Sequence, residues 1–205
     1  KWSELRNQLI ADENDKNSAN DFGKNIIPKM LAAGKGMFGY EFVGYWKDVG
    51  TVESLWKANM DLLDEDTLNI ADPDWTILSK SALQCPHFIG RHAKTTDSLI
   101  TEGCYVDGVV RHSIISDGVT VEQGAEVVDS VVLSGAKICA GARVHKTIVG
   151  EHAVIGKNAT IGIDGSAEYV SAYCSGGVSL VGSDVQVGAG TSIAPDSMVT
   201  EDVKG

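Results

Sequence analysis

Branched apolar residues recur through the second half of the chain at a period near six. Ile115, Val121, Val127, Val132, Ile138, Val144, Val149, Ile155 and Ile161 follow one another at spacings of 6, 6, 5, 6, 6, 5, 6 and 6, so the full pattern returns every 17. Four positions after each of the first eight comes a second apolar, mostly small residue: Val119, Ala125, Val131, Ala136, Ala142, Ile148, Ala153 and Ala159. A helix needs successive spacings of three and four, and a meander needs longer strands with hairpin turns, so both are excluded. What remains is a stack of very short strands joined by tight corners.

Gly118, Gly124, Gly135, Gly141 and Asn158 fall where such corners need a permissive backbone. Three strands then make one triangular coil, with branched residues inward and small ones fitting the corner. This pattern resembles the hexapeptide-repeat left-handed β-helix; its handedness is implied by that resemblance alone. A weaker coil precedes it (Ile100, Val106), and another follows at Val181, Val187, Ile193 and Val199 after a break from Ile163 to Gly177.

The chain up to about position 80 lacks the repeat. Trp2, Leu5 and Leu9 share one face of a short helix, and Pro28 suits the first turn of a second helix running to Gly34. Met37 to Trp46, rich in aromatic and branched residues, reads as one or two strands. Thr51 caps a third helix carrying Val52, Leu55, Trp56, Asn59, Met60 and Leu63. The acids Asp64, Glu65 and Asp66 oppose the helix dipole, so this helix is expected to stop at Leu63. The organisation expected is a catalytic-domain tail over 1–66, a linker over 67–98 and the β-helix over 99–205. A strand-helix mixture this small lacks the strands for its own sheet, and a start at Lys1-Trp2 reads as a piece of something longer.

With 28 acidic and 17 basic side chains among 205 residues, the net charge of −11 argues against nucleic acid or an anionic membrane as partner. No apolar run approaches the ~20 residues that cross a bilayer. Four scattered cysteines (Cys85, Cys104, Cys139, Cys174) form no close pair, which argues against a metal cluster and fits a reducing cytoplasm.

Three ordered blocks carry a family resemblance. Asp21-Phe22-Gly23-Lys24-Asn25-Ile26-Ile27-Pro28, Tyr45-Trp46-Lys47-Asp48-Val49-Gly50-Thr51 and Trp56-Lys57-Ala58-Asn59-Met60-Asp61-Leu62, with the stretch through Leu68-Asn69-Ile70 and Trp75-Thr76-Ile77, resemble the glucose-1-phosphate adenylyltransferase family. The resemblance implies a mainly β chain in which the α/β tail of a nucleotidyltransferase domain precedes the left-handed β-helix. It also implies the joining of ATP and glucose 1-phosphate into ADP-glucose and pyrophosphate with Mg²⁺, for glycogen synthesis, in a cytoplasmic allosteric homotetramer. Asp48 is then the metal-binding carboxylate, and Asp21, Phe22, Trp46 and Asp48 belong to the glucose 1-phosphate pocket. Arg143, His145 and Lys146 form a basic spot for an allosteric anion.

On local pattern, each of these residues has a plainer role. Asp48 suits a turn before a helix, Asp21 a helix cap, and Trp46 or Phe22 a core; solvated coil corners account for the basic spot. The family's glycine-rich nucleotide loop is not among these residues, so the chain alone is expected to be inactive. Two rivals stay open: a nucleotidyltransferase for another sugar phosphate, and a hexapeptide-repeat acyltransferase using His112, His145 or His152.

Overall fold

The computed structural model describes residues 1–64, 66–70, 72–78 and 83–205, and Glu65 lies outside them. Two compact units emerge, Lys1–Gly44 and Tyr45–Gly205. The first is helical: α1 (Trp2–Glu13), a π turn (Phe22–Ile26) and α2 (Ile27–Ala32), with Pro28 in the first turn of α2 and Gly34 at positive φ beyond its end. Ile26 and Met30 are buried, and Lys29 pairs with Asp12 at 2.8 Å and Asp15 at 3.0 Å.

Met37 to Trp46 forms no strand, which corrects the sequence expectation. Composition favours β structure there, but a strand exists only with a ladder partner, and none of the described residues supplies one. Phe38 and Tyr40 are accordingly 96% and 90% exposed.

In the second unit α3 (Val52–Met60) continues as a 3₁₀ turn to Leu63, where the sequence placed its end. Its N-terminus is a capping box: the Thr51 hydroxyl accepts from the Ser54 N–H at 3.1 Å, and the Ser54 hydroxyl accepts from the Thr51 N–H at 3.0 Å.

The solenoid that follows has three faces, each a six-stranded parallel sheet. The first face stacks Phe88–Ile89, Tyr105–Val106, Thr120–Val121, Lys137–Ile138, Val154–Ile155 and Gln186–Val187. The second stacks Lys94–Thr96, Val109–Arg111, Glu126–Val128, Arg143–His145, Thr160–Ser166 and Ser192–Ile193. The third stacks Leu99–Ile100, Ile114–Ile115, Val131–Val132, Thr147–Val149, Ser179–Val181 and Met198–Val199. The first coil opens at Phe88, inside the segment 67–98.

The repeat of the sequence is the pairing register itself, as Lys137↔Val154 and Ile148↔Val131 show. Every branched residue of the repeat from Ile115 to Ile161 is at most 1% exposed, as are the small residues at Ala125, Ala136, Ala142, Ala153 and Ala159. Burying each Val or Ile contributes about 1.5–3 kcal/mol, so the stacked columns are the dominant stabilising term. Gly118, Gly124, Gly135, Gly141 and Asn158 all have positive φ, as the corners require. The break after Ile161 is an excursion from one coil: Thr147 pairs with Ser179, nearly two repeats further along the chain instead of one.

The third corner works differently. His112, Asp129 and Lys146 sit there at φ 45°, 49° and 46°, each followed by a fully buried hydroxyl: Ser113, Ser130 and Thr147. The Ser113 hydroxyl accepts from the Ser130 N–H, and the Ser130 hydroxyl from the Thr147 N–H, both at 3.1 Å. Each hydroxyl also donates within its own turn, Ser130 to the Val128 carbonyl at 2.7 Å. The ladder satisfies backbone donors that a tight corner would otherwise bury without partners.

Val131 and Ile148, grouped in the sequence with the small corner residues, instead point outward from the third face. With Ile114 they form a second core around Met60, joined by Val52, Trp56, Leu62 and Leu63. That core is the seat of α3.

Candidate functional site

Asp21 and Phe22 lie in the unit 1–44. Asp21 caps the π turn, its Oδ1 accepting the Lys24 N–H at 2.7 Å while its own N–H donates to the Asn25 side chain at 3.2 Å. Phe22 is half exposed and lines an open cleft of about 540 Å³ with Trp2, Arg6, Ile10, Asp12 and Asn20. A buried carboxylate stands in its wall. Asp12 accepts from Lys29 at 2.8 Å and from the Ser18 hydroxyl at 2.7 Å, and these bonds, Lys29's first, hold it below the usual carboxylate range.

Trp46 and Asp48 lie in the unit 45–205, on the loop that enters α3. Trp46 is 77% exposed, so the core role its residue type suggested does not apply within this unit. The Asp48 Oδ1 accepts the Gly50 N–H at 2.9 Å in an Asx turn, and its Oδ2 meets no donor among the described residues. The loop is pinned on both sides of this carboxylate. Behind it, Tyr45 donates to Asp61 at 2.8 Å and Lys47 forms an ion pair with the same Asp61. Ahead of it stands the capping box of Thr51 and Ser54. Lys47 lowers the Asp61 carboxyl from its ordinary value, and Asp61 raises the Tyr45 phenol. Sequence reasoning gave Lys47 and Asp61 no role, although both stand inside the quoted blocks.

The basic spot is divided. Arg143 and His145 line one cleft of about 310 Å³ on the second face, with Arg111, Val128 and Ile163. Lys146 turns the other way, donating to the Gly176 carbonyl and lying 5.2 Å from the centroid of the Trp56 ring. Carboxylates stand among the cations: Glu126 pairs with Arg111 at 2.5 Å and with Arg143 at 3.5 Å. Asp129 meets His112 at 2.7 Å and His145 at 3.4 Å. An anion here competes with acids already in place. His152, exposed, packs over Gly135.

No helix among the described residues is long and apolar enough to cross a membrane. Nor do those residues contain a group of three or more His, Cys, Asp or Glu side chains able to hold a metal ion. By its chemistry the Asp48 Oδ2, which meets no donor among the described residues, is one oxygen that a hard cation could take.

Two family models match, in the order the structure shows. Residues 3–65 match a nucleotidyl transferase model and residues 85–181 a GlmU-like, C-terminal hexapeptide model. Glucose-1-phosphate adenylyltransferases of Bacillus thuringiensis (strain Al Hakam) and Bacillus anthracis are each 50% identical to this chain over 155 residues, and that of Bacillus mycoides (strain KBAB4) is 49% identical. Each alignment covers 75% of this chain and 41% of the relative, so the aligned stretch spans about two fifths of those proteins. The blocks around Asp21, Asp48 and Trp56 and the repeat of the solenoid thus point one way: this chain resembles the glucose-1-phosphate adenylyltransferases, carrying nucleotidyl transferase sequence joined to a hexapeptide-repeat β-helix.

Proposed function

We propose that this chain is part of an enzyme that joins ATP and glucose 1-phosphate into ADP-glucose and pyrophosphate. The observation that carries the reading is the Asp48 loop, where one carboxylate oxygen meets no donor among the described residues, on a backbone pinned from both sides and two residues from an exposed indole. A sugar-phosphate oxygen attacks the α-phosphorus of ATP and pyrophosphate leaves, so catalysis rests on positioning and on neutralising phosphate charge. Mg²⁺, held by Asp48 and the phosphates, supplies that neutralisation when bound. Asp48 holds the charge in place, Trp46 offers a flat apolar face to the sugar ring, and Asp21 and Phe22 serve the same sugar phosphate. The product feeds glycogen synthesis. The protein works as a cytoplasmic homotetramer under allosteric control, with the four free thiols suited to a reducing compartment.

The test is made in the full-length protein. Asp48→Asn keeps the shape and removes the charge, and kcat should fall by about two orders of magnitude, the scale of one lost electrostatic contact to the reacting phosphates. The KM for glucose 1-phosphate should move little, whereas Trp46→Ala should mainly raise it. A near-normal kcat in Asp48→Asn returns that residue to the role of a turn acid.

A further inference from the structure

We propose that the solenoid positions the Asp48 loop, with Trp56 and Lys146 as the positioning residues. This rests on the metal-binding reading of Asp48. Just past Asp48, at Thr51, the chain enters α3, so the helix axis sets where the carboxylate stands. The N-terminal half of α3 is fastened to the solenoid by attachments of different kinds. The Trp56 indole N–H donates to the Asp129 carbonyl at 2.7 Å, a contact between parts of the chain far apart in sequence. The Lys146 ammonium lies 5.2 Å from the Trp56 ring centroid. Glu53 accepts from the Ser175 hydroxyl at 2.7 Å. Beneath these, Met60 sits on Ile114, Val131 and Ile148.

The origin of the attachments is informative. Asp129 and Lys146 occupy the same corner one coil apart, both in the left-handed conformation. Ser175 and Gly176, the latter accepting from Lys146, belong to the excursion that interrupts the repeat. None is needed to build a coil, since the coils close through their own ladders. They converge instead on the helix that begins just past the candidate metal ligand. Trp56 is only half-buried, yet its one polar atom is satisfied by a solenoid carbonyl, and a partly shielded cation near an aromatic ring adds to the hold. Misplacing a reacting group by about 1 Å is enough to cost roughly a hundredfold in rate. A clamp that fixes α3 therefore acts on metal use without touching substrate.

The experiment uses Trp56→Phe, which keeps a ring and loses the N–H, Lys146→Met, which keeps the stem and loses the charge, and Lys146→Arg, which restores a cation. In this chain, amide exchange over 52–60 should quicken about fivefold in the first two variants, as expected for one lost hydrogen bond or cation–ring contact. Exchange at Lys137–Ile138 should stay unchanged. In the full-length protein the Mg²⁺ concentration for half-maximal rate should rise by a similar factor in both, the KM for glucose 1-phosphate should hold, and Lys146→Arg should recover the wild-type value. Unchanged exchange over 52–60 overturns the clamp and leaves the proposed activity standing. Faster exchange with an unmoved Mg²⁺ requirement, where Asp48→Asn is inactive, overturns the positioning role alone. A fully active Asp48→Asn enzyme overturns the metal-binding role of Asp48 and with it the link from clamp to metal, while the proposed activity stands.

Discussion

Removing the Ser130 hydroxyl tests the buried ladder at the third corner. Ser130 is fully buried, and its oxygen both donates to the Val128 carbonyl at 2.7 Å and accepts the Thr147 N–H at 3.1 Å. Ser130→Ala takes the partner from that N–H in a site that is itself fully buried. The net worth of a satisfied hydrogen bond is about 1 kcal/mol, but stranding a buried polar group costs about 1–3 kcal/mol. The volume lost is one oxygen, so the cavity contribution is minor, and we expect a loss of about 2 kcal/mol. Ser130→Thr keeps the hydroxyl and uses the residue already present at the next rung, Thr147. Urea denaturation followed by far-ultraviolet circular dichroism measures both variants, with Ser192→Ala at an exposed strand position as control. The ladder has no structural weight if Ser130→Ala unfolds within about 0.3 kcal/mol of wild type, or if Ser130→Thr loses as much as Ser130→Ala.

Other outcomes follow from the same geometry. Ile138→Asp puts an unpaired charge into the fully buried column and should cost about 3–5 kcal/mol, while Lys137→Ala, next to it but outward and paired with Glu122, should stay within about 0.5 kcal/mol; equal losses in urea would refute the inside-outside assignment. Because Lys47 lowers the Asp61 carboxyl, its stabilisation of the loop is complete above the ordinary value of 3.8 and is lost as the pH falls below it. Protection over 45–50, taken against the intrinsic exchange rate at each pH, should therefore fall in acid, and Asp61→Asn should reproduce that loss at neutral pH. A loop equally protected at both pH values would count against the tether.

The solenoid was legible because its physics is local and repeated. An Ile or Val at every fifth or sixth position, a glycine at most open corners with His152 and Asn158 at the others, and a return with every third strand have few geometric solutions. The Ser113, Ser130 and Thr147 ladder obeys the same repeat and was equally visible, but small polar residues at a corner read as ordinary turn chemistry until their burial is seen. Val131 and Ile148 carried the clearest neglected signal. They are large where most residues of their series are alanine, because they face α3 and not a corner. The stretch Met37 to Trp46 failed in the opposite sense, since β composition states what a segment prefers and pairing needs a partner that composition does not supply.

Motifs could name candidate residues but not the arrangement around them. Motif blocks singled out Asp48 and Trp46, but the reason that loop holds its shape lies in Lys47 and Asp61, which stand at opposite ends of α3 and meet only when the helix forms. The basic spot shows why charge alone misleads along a solenoid. Arg143, His145 and Lys146 are near neighbours in sequence, yet strand alternation puts Arg143 and His145 on the outer side of the second face while the corner turns Lys146 toward Trp56. Stacking of the coils then sets Glu126 beside Arg143 and brings Asp129 to His145, so Arg143 and His145 each meet an acid one coil below while Lys146 turns to Gly176 and Trp56. The neighbours that decide an electrostatic site here stand one coil away in space and a full repeat away in sequence, and a run of basic residues along the chain has no bearing on them.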